Sequence, residues 1–268
     1  MTKNNIKELS IQVNLNGLSF CILNRTSNTI EYINSIQFEQ RLTPLDLLNH
    51  LKTELSSNAI FSEEFDAVLI IHHNELSTLV PKALYQENQK ADYLKFNSKI
   101  LRTDFITQDD LAINDTVNVY VPYININNYI FETFGEFVYK HSSTILVDSA
   151  LQQVSKNKKT NIYINVNTNT IEVLVVDNNK LQLVNTFDYY SKEDFTYYIL
   201  FVFEQLKLDV ETCQIKLSGK IDTNSDLYNI LYRYVRYINI IDTNFTFEIP
   251  NTIHKDNLHH HYLILNSF

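Results

Sequence analysis

A chain of 268 residues, 44% hydrophobic and 20% charged, has the apolar content of a globular protein with one large core or two smaller ones. Its three glycines, where a chain this long ordinarily has about 19, allow neither a G-x-G-x-x-G nor a Walker A sequence, which argues against a dinucleotide fold or a P-loop NTPase. A net charge of −9 with no basic cluster argues against broad nonspecific binding to nucleic acid.

Met1 to Glu8 is polar and carries no signal-peptide pattern, and no apolar run approaches the ~20 residues of a membrane span, so the expected compartment is the cytoplasm. Leu9 to Leu23 reads as a strand, a polar turn around Asn14, Asn16 and Gly17, and a second strand, with a third over Thr29 to Phe38. Thr43 is placed to cap a helix that has Pro44 at its first position, with Leu47, Leu48, Leu51 and Leu55 on one face. Ala67 to Ile71 is an unbroken apolar run, the pattern of a strand buried on both sides. From Glu75 to Tyr123 the signals are less regular and suggest a small inserted subdomain. Short helices are expected over Lys82 to Glu87 and around Tyr93, Leu94 and Phe96, and strands over Thr103 to Thr107 and Val117 to Val121. Asn125 or Asn127 is a candidate cap for a helix holding Ile130, Phe131, Phe134, Phe137 and Val138. Ser143 to Val147 reads as a strand, and Asp148 as the cap of a helix with Leu151 and Val154.

Lys156 to Lys159 is polar and free of large apolar groups, which makes it the natural boundary between residues 1–157 and 158–268. Beyond it the opening pattern returns roughly 150 residues later: strand, turn at Asn165, Asn167 and Thr168, strand to Val176, and a third strand over Lys180 to Phe187. Ser191 and Asp194 form a capping-box-like start, with Asp in place of Glu. The helix from Phe195 to Leu206 is apolar nearly all round, which predicts burial in a core, with a subunit interface and hence a homodimer as the sharper alternative. Cys213 to Leu217 reads as a strand, Asp226 to Tyr234 as a helix and Ile238 to Ile241 as a strand. Asp256 to Phe268 is a candidate closing helix with Leu258, Tyr262 and Leu265 inward. Each half is therefore βββ-α-β followed by further α and β, and alternating elements of this kind predict a mixed sheet with helices packed against it.

That order, occurring twice, resembles the actin-like ATPase fold of the sugar kinase, Hsp70 and actin superfamily. The chain is also similar to the bacterial DUF3822 family, of unknown function, through Leu9 to Ile11, Asn16 to Phe20, Thr78 to Pro81, Asp92 to Asn97 and Asn118 to Pro122. The resemblance covers most of the chain and implies an α/β fold of duplicated RNase H-like, actin-like βββαβα units, two lobes each with a mixed sheet flanked by helices. It also implies a nucleotide cleft gripped by the two hairpin turns. The residues that would line it are Asn14, Asn16, Gly17, Asn165, Asn167, Thr168, Gly219 and Lys220.

Their chemistry is degenerate. Asn14 falls where the superfamily carries an Asp, with Gly17 displaced by one residue. The second hairpin, ordinarily Asp, Gly, Gly, Thr, reads Asn165, Asn167, Thr168 and Thr170, and the adenosine segment keeps only Gly219 of its glycine pair. An amide offers a metal only a neutral carbonyl and cannot act as a general base. Side chains in place of glycine crowd the backbone amides that phosphate oxygens need. The expectation is a pseudo-ATPase with no catalytic residues and no cofactor, whose partner is another protein or a peptide. Two alternatives remain: a nucleotide-binding switch or weak ATPase, and an RNase H-like nuclease, for which the required acids are missing at Asn14 and Asn165.

Other clusters have plainer readings. Cys21 and Cys213 lack CxxC spacing and read as buried thiols. His259, His260 and His261 read as a surface turn or helix end with Asp256 as the nearby carboxylate, so no metal is expected. His72 and His73 read as strand-end structural or surface residues, and Asp109–Asp110 and Glu63–Glu64 as solvated loops. No G-x-S-x-G elbow supports a serine hydrolase. The many tyrosines read as core packing rather than as a stacking platform for bases.

Overall fold

The computed structural model describes residues 5–153, 159–250 and 255–268. The first half opens on β1 (Lys7–Asn14), β2 (Gly17–Asn24) and β3 (Thr29–Gln37), followed by α1 (Pro44–Ser57) and β4 (Ala67–His72). Next come β5 (Ser77–Pro81), α2 (Lys90–Lys95), β6 (Thr107–Leu111), β7 (Thr116–Tyr120), α3 (Ile124–Phe134), β8 (Val138–His141) and α4 (Ser142–Gln152). The second half has β9 (Asn161–Val166), β10 (Thr170–Asp177), β11 (Lys180–Asp188), α5 (Lys192–Gln205), β12 (Gln214–Gly219), α6 (Asp226–Leu231) and β13 (Tyr237–Ile240). It ends in a 3-10 helix (Lys255–His261) and α7 (Tyr262–Leu265).

Two five-stranded mixed sheets result, ordered β3-β2-β1-β4-β8 and β11-β10-β9-β12-β13. In each, the first three strands form an antiparallel meander, and the fourth strand joins the first in parallel, as β4 on β1 and β12 on β9. The strand order repeated in the sequence is thus present as two copies of one topology. A separate antiparallel sheet, β5-β7-β6, has its own small core of Val80, Leu94, Val117, Val119 and Val121.

Local chemistry explains most boundaries. Thr43 accepts from the backbone of Asp46 ahead of Pro44, and Leu47, Leu51 and Leu55 of α1 are buried against the first sheet. Ser191 and Asp194 close a reciprocal capping box on α5. The first sheet packs on α1 and α3, and the second on α5 and α6. Between the sheets lies a third core, where Cys21, Leu23 and Ile71 meet Leu146 and Ala150 of α4, Tyr163 and Leu174 of the second sheet, and Tyr262 and Leu265 of the tail. Leu258, Tyr262 and Leu265 all point inward, as their spacing predicts. Cys21 and Cys213 are buried and free, and burial pushes both thiols up.

Several expectations are corrected. Ser143 to Val147 is helix, not strand. The strand is Val138–His141, and α4 begins at Ser142 rather than behind Asp148, with nine of its eleven residues buried. The cap is the His141 ring, which accepts from the backbone N–H of Ser143 at 3.1 Å. Neither Asn125 nor Asn127 caps α3. Asn125 donates to the Pro44 carbonyl, and Asn127 accepts from His72. The strand expected over Thr103 to Thr107 starts at Thr107, and β5 lies where no strand is expected. Lys82 to Glu87 holds only short 3-10 turns. The α5 helix is not buried all round, since Tyr197 and Phe201 stack on each other at its exposed face, 6.1 Å apart. The boundary expected at 156–159 lies, apart from Lys159, outside the described residues, as does Val154. Among the described residues no helix is long and apolar enough to cross a membrane.

Candidate functional site

The two hairpin turns meet end to end. Asn14, Asn16, Gly17, Asn165, Asn167, Thr168, Gly219 and Lys220 all line one cleft, together with Gln12, Ser19, Ser35 and His260. Its cavity is about 50 Å³, small beside the ~300–1,000 Å³ of pockets that enclose drug-sized ligands.

The amides at its floor are committed to the protein itself. Asn14 Oδ1 accepts from the backbone N–H of Asn16 at 2.7 Å, and its Nδ2 donates to the His73 carbonyl at 3.2 Å. Asn165 Nδ2 donates to Glu172 at 3.0 Å, and its Oδ1 accepts from Ser218 at 3.2 Å. Asn167 Nδ2 lies 3.2 Å from His73 Nε2. Lys220 Nζ donates to Thr168 at 3.2 Å, and burial lowers its pKa to about 8. The two glycines serve chain packing. A Cβ on Gly17 would lie 2.5 Å from the Ile36 carbonyl oxygen. At Gly219, φ is +78° and a Cβ would lie 2.1 Å from the Val166 carbonyl oxygen. Gly219→Ala should therefore cost about 2 kcal/mol or more from backbone strain and the clash. Thermal unfolding checks this against Gly135→Ala, which shares the positive φ but has nothing within 4 Å and should lose less.

Behind the cleft is a buried polar network that no local sequence pattern marks. Glu172 of β10 is fully buried. Its Oε1 accepts from Ser142 at 2.7 Å and Ser143 at 3.1 Å, both from α4, while Oε2 accepts from Asn165 and lies 3.3 Å from His73 Nδ1. His73 Nδ1 is also 2.9 Å from Ser142 Oγ. Burial opposes ionisation of Glu172, but the adjacent His73 ring and the converging donors outweigh it and hold the carboxyl down at about 2. This network ties the end of β4 and the start of α4 to the second sheet.

One plain reading is corrected here and two are sharpened. Asp109 is not a solvated loop residue. It accepts from Tyr120 at 3.0 Å, the backbone N–H of His141 at 2.8 Å and Thr144 at 2.7 Å, at the N-terminus of α4. Burial raises its pKa despite these bonds. His73 is structural, as a strand-end histidine is expected to be, and its partners Asn167 and Glu172 join the two halves through it. The tail histidines form the last turn of a 3-10 helix, the helix-end alternative, and His259 there is buried and donates to the Ile221 carbonyl at 2.8 Å.

Comparison with known proteins agrees with this architecture. A Bacteroides thetaiotaomicron protein with an actin-like ATPase fold and unknown function superimposes with a TM-score of 0.82 at 21% identity, over 100% of this chain and 98% of that one. The PilM–PilN type IV pilus biogenesis complex gives 0.60 at 10% identity, over 97% and 98%. The ethanolamine utilization protein EutJ from Carboxydothermus hydrogenoformans gives 0.52 at 6% identity, over 100% and 92%. No curated protein matches the chain. The model of the family described as "Protein of unknown function (DUF3822)" matches residues 1–238, and with the doubled sheet topology and paired hairpin turns in place, this chain belongs to that family and has the actin-like ATPase fold.

Proposed function

We propose that this protein is a noncatalytic member of the actin-like fold that serves as a protein-interaction scaffold, built of two lobes (1–157, with a small insertion around 75–123, and 158–268). The observation that carries this reading is the state of the cleft floor. At the positions where the fold's ATPases hold metal and phosphate, Asn14, Asn165 and Asn167 spend their amides on the turn itself, Glu172, Ser218 and His73. At that floor a metal-triphosphate would meet neutral amides already hydrogen-bonded within the protein, in a cavity of about 50 Å³ whose lining includes the Lys220 ammonium but no carboxylate to hold the metal. The partner is another protein or peptide, and the exposed Tyr197–Phe201 pair on α5 is the surface to test, for a homodimer as well. The PilM–PilN structure supports the class, since it is a complex containing a protein of this fold.

Two measurements test the reading. Millimolar Mg-ATP should leave the melting temperature unchanged and release no phosphate. A nucleotide at ~100 times its Kd would add about 2.7 kcal/mol of stability, and a shift of that size would favour the second reading, a nucleotide-binding switch, for which the convergence of Thr168, Gly219 and Lys220 on the cleft speaks. For the scaffold itself, a partner recovered from native lysate should be retained by the unaltered chain and lost with Tyr197→Ser/Phe201→Ser. Recovery of no partner, or of one indifferent to that face and to the cleft, counts against it.

A further inference from the structure

Beside the cleft, and independent of the reading above, the tail and the loop after β12 bring together two imidazoles and a carboxylate. His259 and His260 are consecutive in the 3-10 helix Lys255–His261, and a 3-10 turn places neighbouring side chains about 120° apart. Their Nε2 atoms nevertheless converge on one oxygen, lying 3.4 Å and 3.1 Å from Asp222 Oδ1. The rings sit 4.3 Å apart at 66°, and the three ligand atoms all lie within 4.8 Å of one another.

Those separations match a coordination polyhedron. With ligand bonds of ~2.0–2.1 Å, the edges of a tetrahedral zinc site are about 3.3 Å, which the two nitrogen–oxygen distances bracket. The donor set selects the ion class: imidazole with one carboxylate suits a borderline transition-metal dication, whereas Mg²⁺ and Ca²⁺ prefer sites built from oxygen alone. The site is also reachable. The Asp222 side chain is 48% exposed and that of His260 28%. Asp222 and His259 open onto a wide recess lined also by Thr223, Asn224 and Asn257, with room for a water ligand, while His260 faces the cleft between the hairpins.

We propose that Asp222, His259 and His260 form a binding site for a transition-metal dication of the Zn²⁺ type, three protein ligands with water completing the tetrahedron. Occupation moves the proton of each ring from Nε2 to Nδ1, so that Nε2 presents its lone pair to the metal. It replaces the bond from His259 to the Ile221 carbonyl and the bond from His260 to Asp222 with coordinate bonds. The bound ion would clamp the tail to the β12–α6 loop at the rim of the cleft.

The test uses the full chain free of any histidine tag. Calorimetric titration with ZnCl₂ should show one saturable site, and Co²⁺ should give the intense visible bands of tetrahedral coordination. Asp222→Asn and His260→Gln should each weaken Zn²⁺ binding at least ~10-fold, while His50→Gln, on α1, should leave it unchanged. Absence of saturable Zn²⁺ binding, a Co²⁺ spectrum of octahedral type, or affinity that survives the Asp222→Asn/His260→Gln double variant overturns the proposal. The Co²⁺ spectrum of the unaltered chain decides the matter even if a variant fails to fold.

Discussion

Acidification from pH 7 toward pH 4 should remove several kcal/mol of stability, because two buried histidines cannot accept a proton where they stand. His72 is fully buried, with Nε2 donating to Asn127 at 2.8 Å and Nδ1 accepting from the backbone N–H of Tyr123 at 3.2 Å. His141 is held in the same way, with Nε2 donating to the Asn74 carbonyl at 3.1 Å and Nδ1 accepting from the Ser143 N–H at 3.1 Å. In each ring the basic nitrogen faces a donor, so protonation must break a bond as well as bury a charge. Burial depresses the two pKa values from 6.5 to about 3 and about 4, respectively. A histidine depressed in the folded state leaves more protons on the unfolded chain. Its contribution is complete above pH 6.5 and is lost as the pH falls toward the folded values, about 1.4 kcal/mol going with each pH step between them. Glu172, held at about 2 against 4.5, extends the loss below pH 4.5, while Asp109, raised by burial, opposes it. Urea unfolding at pH 7.0, 5.5 and 4.5 should show a falling midpoint. A midpoint that stays level over this range would show that neither ring is held neutral by the fold.

Removing Glu172 should be the most damaging single change. Glu172→Leu keeps the volume but leaves Ser142, Ser143, Asn165 and His73 facing a group that accepts nothing, in a site with no solvent exposure. Breaking a buried charged cluster on one side typically costs ~3–5 kcal/mol, and a loss of about 4 kcal/mol is expected here. Glu172→Gln retains one carbonyl oxygen, and the serine hydroxyls can turn to accept from its amide, so it should lose about half as much. Because His73 and Glu172 share one network across the two halves, Glu172→Leu and His73→Ala should combine to less than their sum by at least ~1 kcal/mol. Strict additivity in denaturant unfolding would mean that the contact carries no energy between the sheets.

How much of the molecule is legible in its sequence depends on where the signal lies. Both hairpins announce themselves locally, since Asn14 to Gly17 and Asn167 to Asn169 are turn segments rich in Asn set between apolar strands. Their doubling yields the two-sheet topology, and the residues named from the two turns, with Gly219 and Lys220, do line one cleft. The α4 helix is not legible in this way. Buried on nearly every side, Ser142 to Val147 shows no helical period, and its N-terminus is satisfied by His141 and by Asp109, which lies 32 residues away in the chain from its His141 partner. The site's central acid is also easily passed over, although one carboxylate within the buried run Ile171 to Val176 is a warning that partners must exist. No local rule matches Asp222 to His260, 38 residues on.

The core shared by β2, α4, the second sheet and the tail has a consequence for cooperativity. Tyr262 to Leu265 lie against β1 and β2 on one side and α4 and β12 on the other, and Ser267 donates to Ser10 at 2.8 Å. Neither repeat can melt alone without stripping this common segment from its neighbour. The duplicated halves should therefore denature in a single transition, and a ligand gripping either half should stabilise the whole molecule.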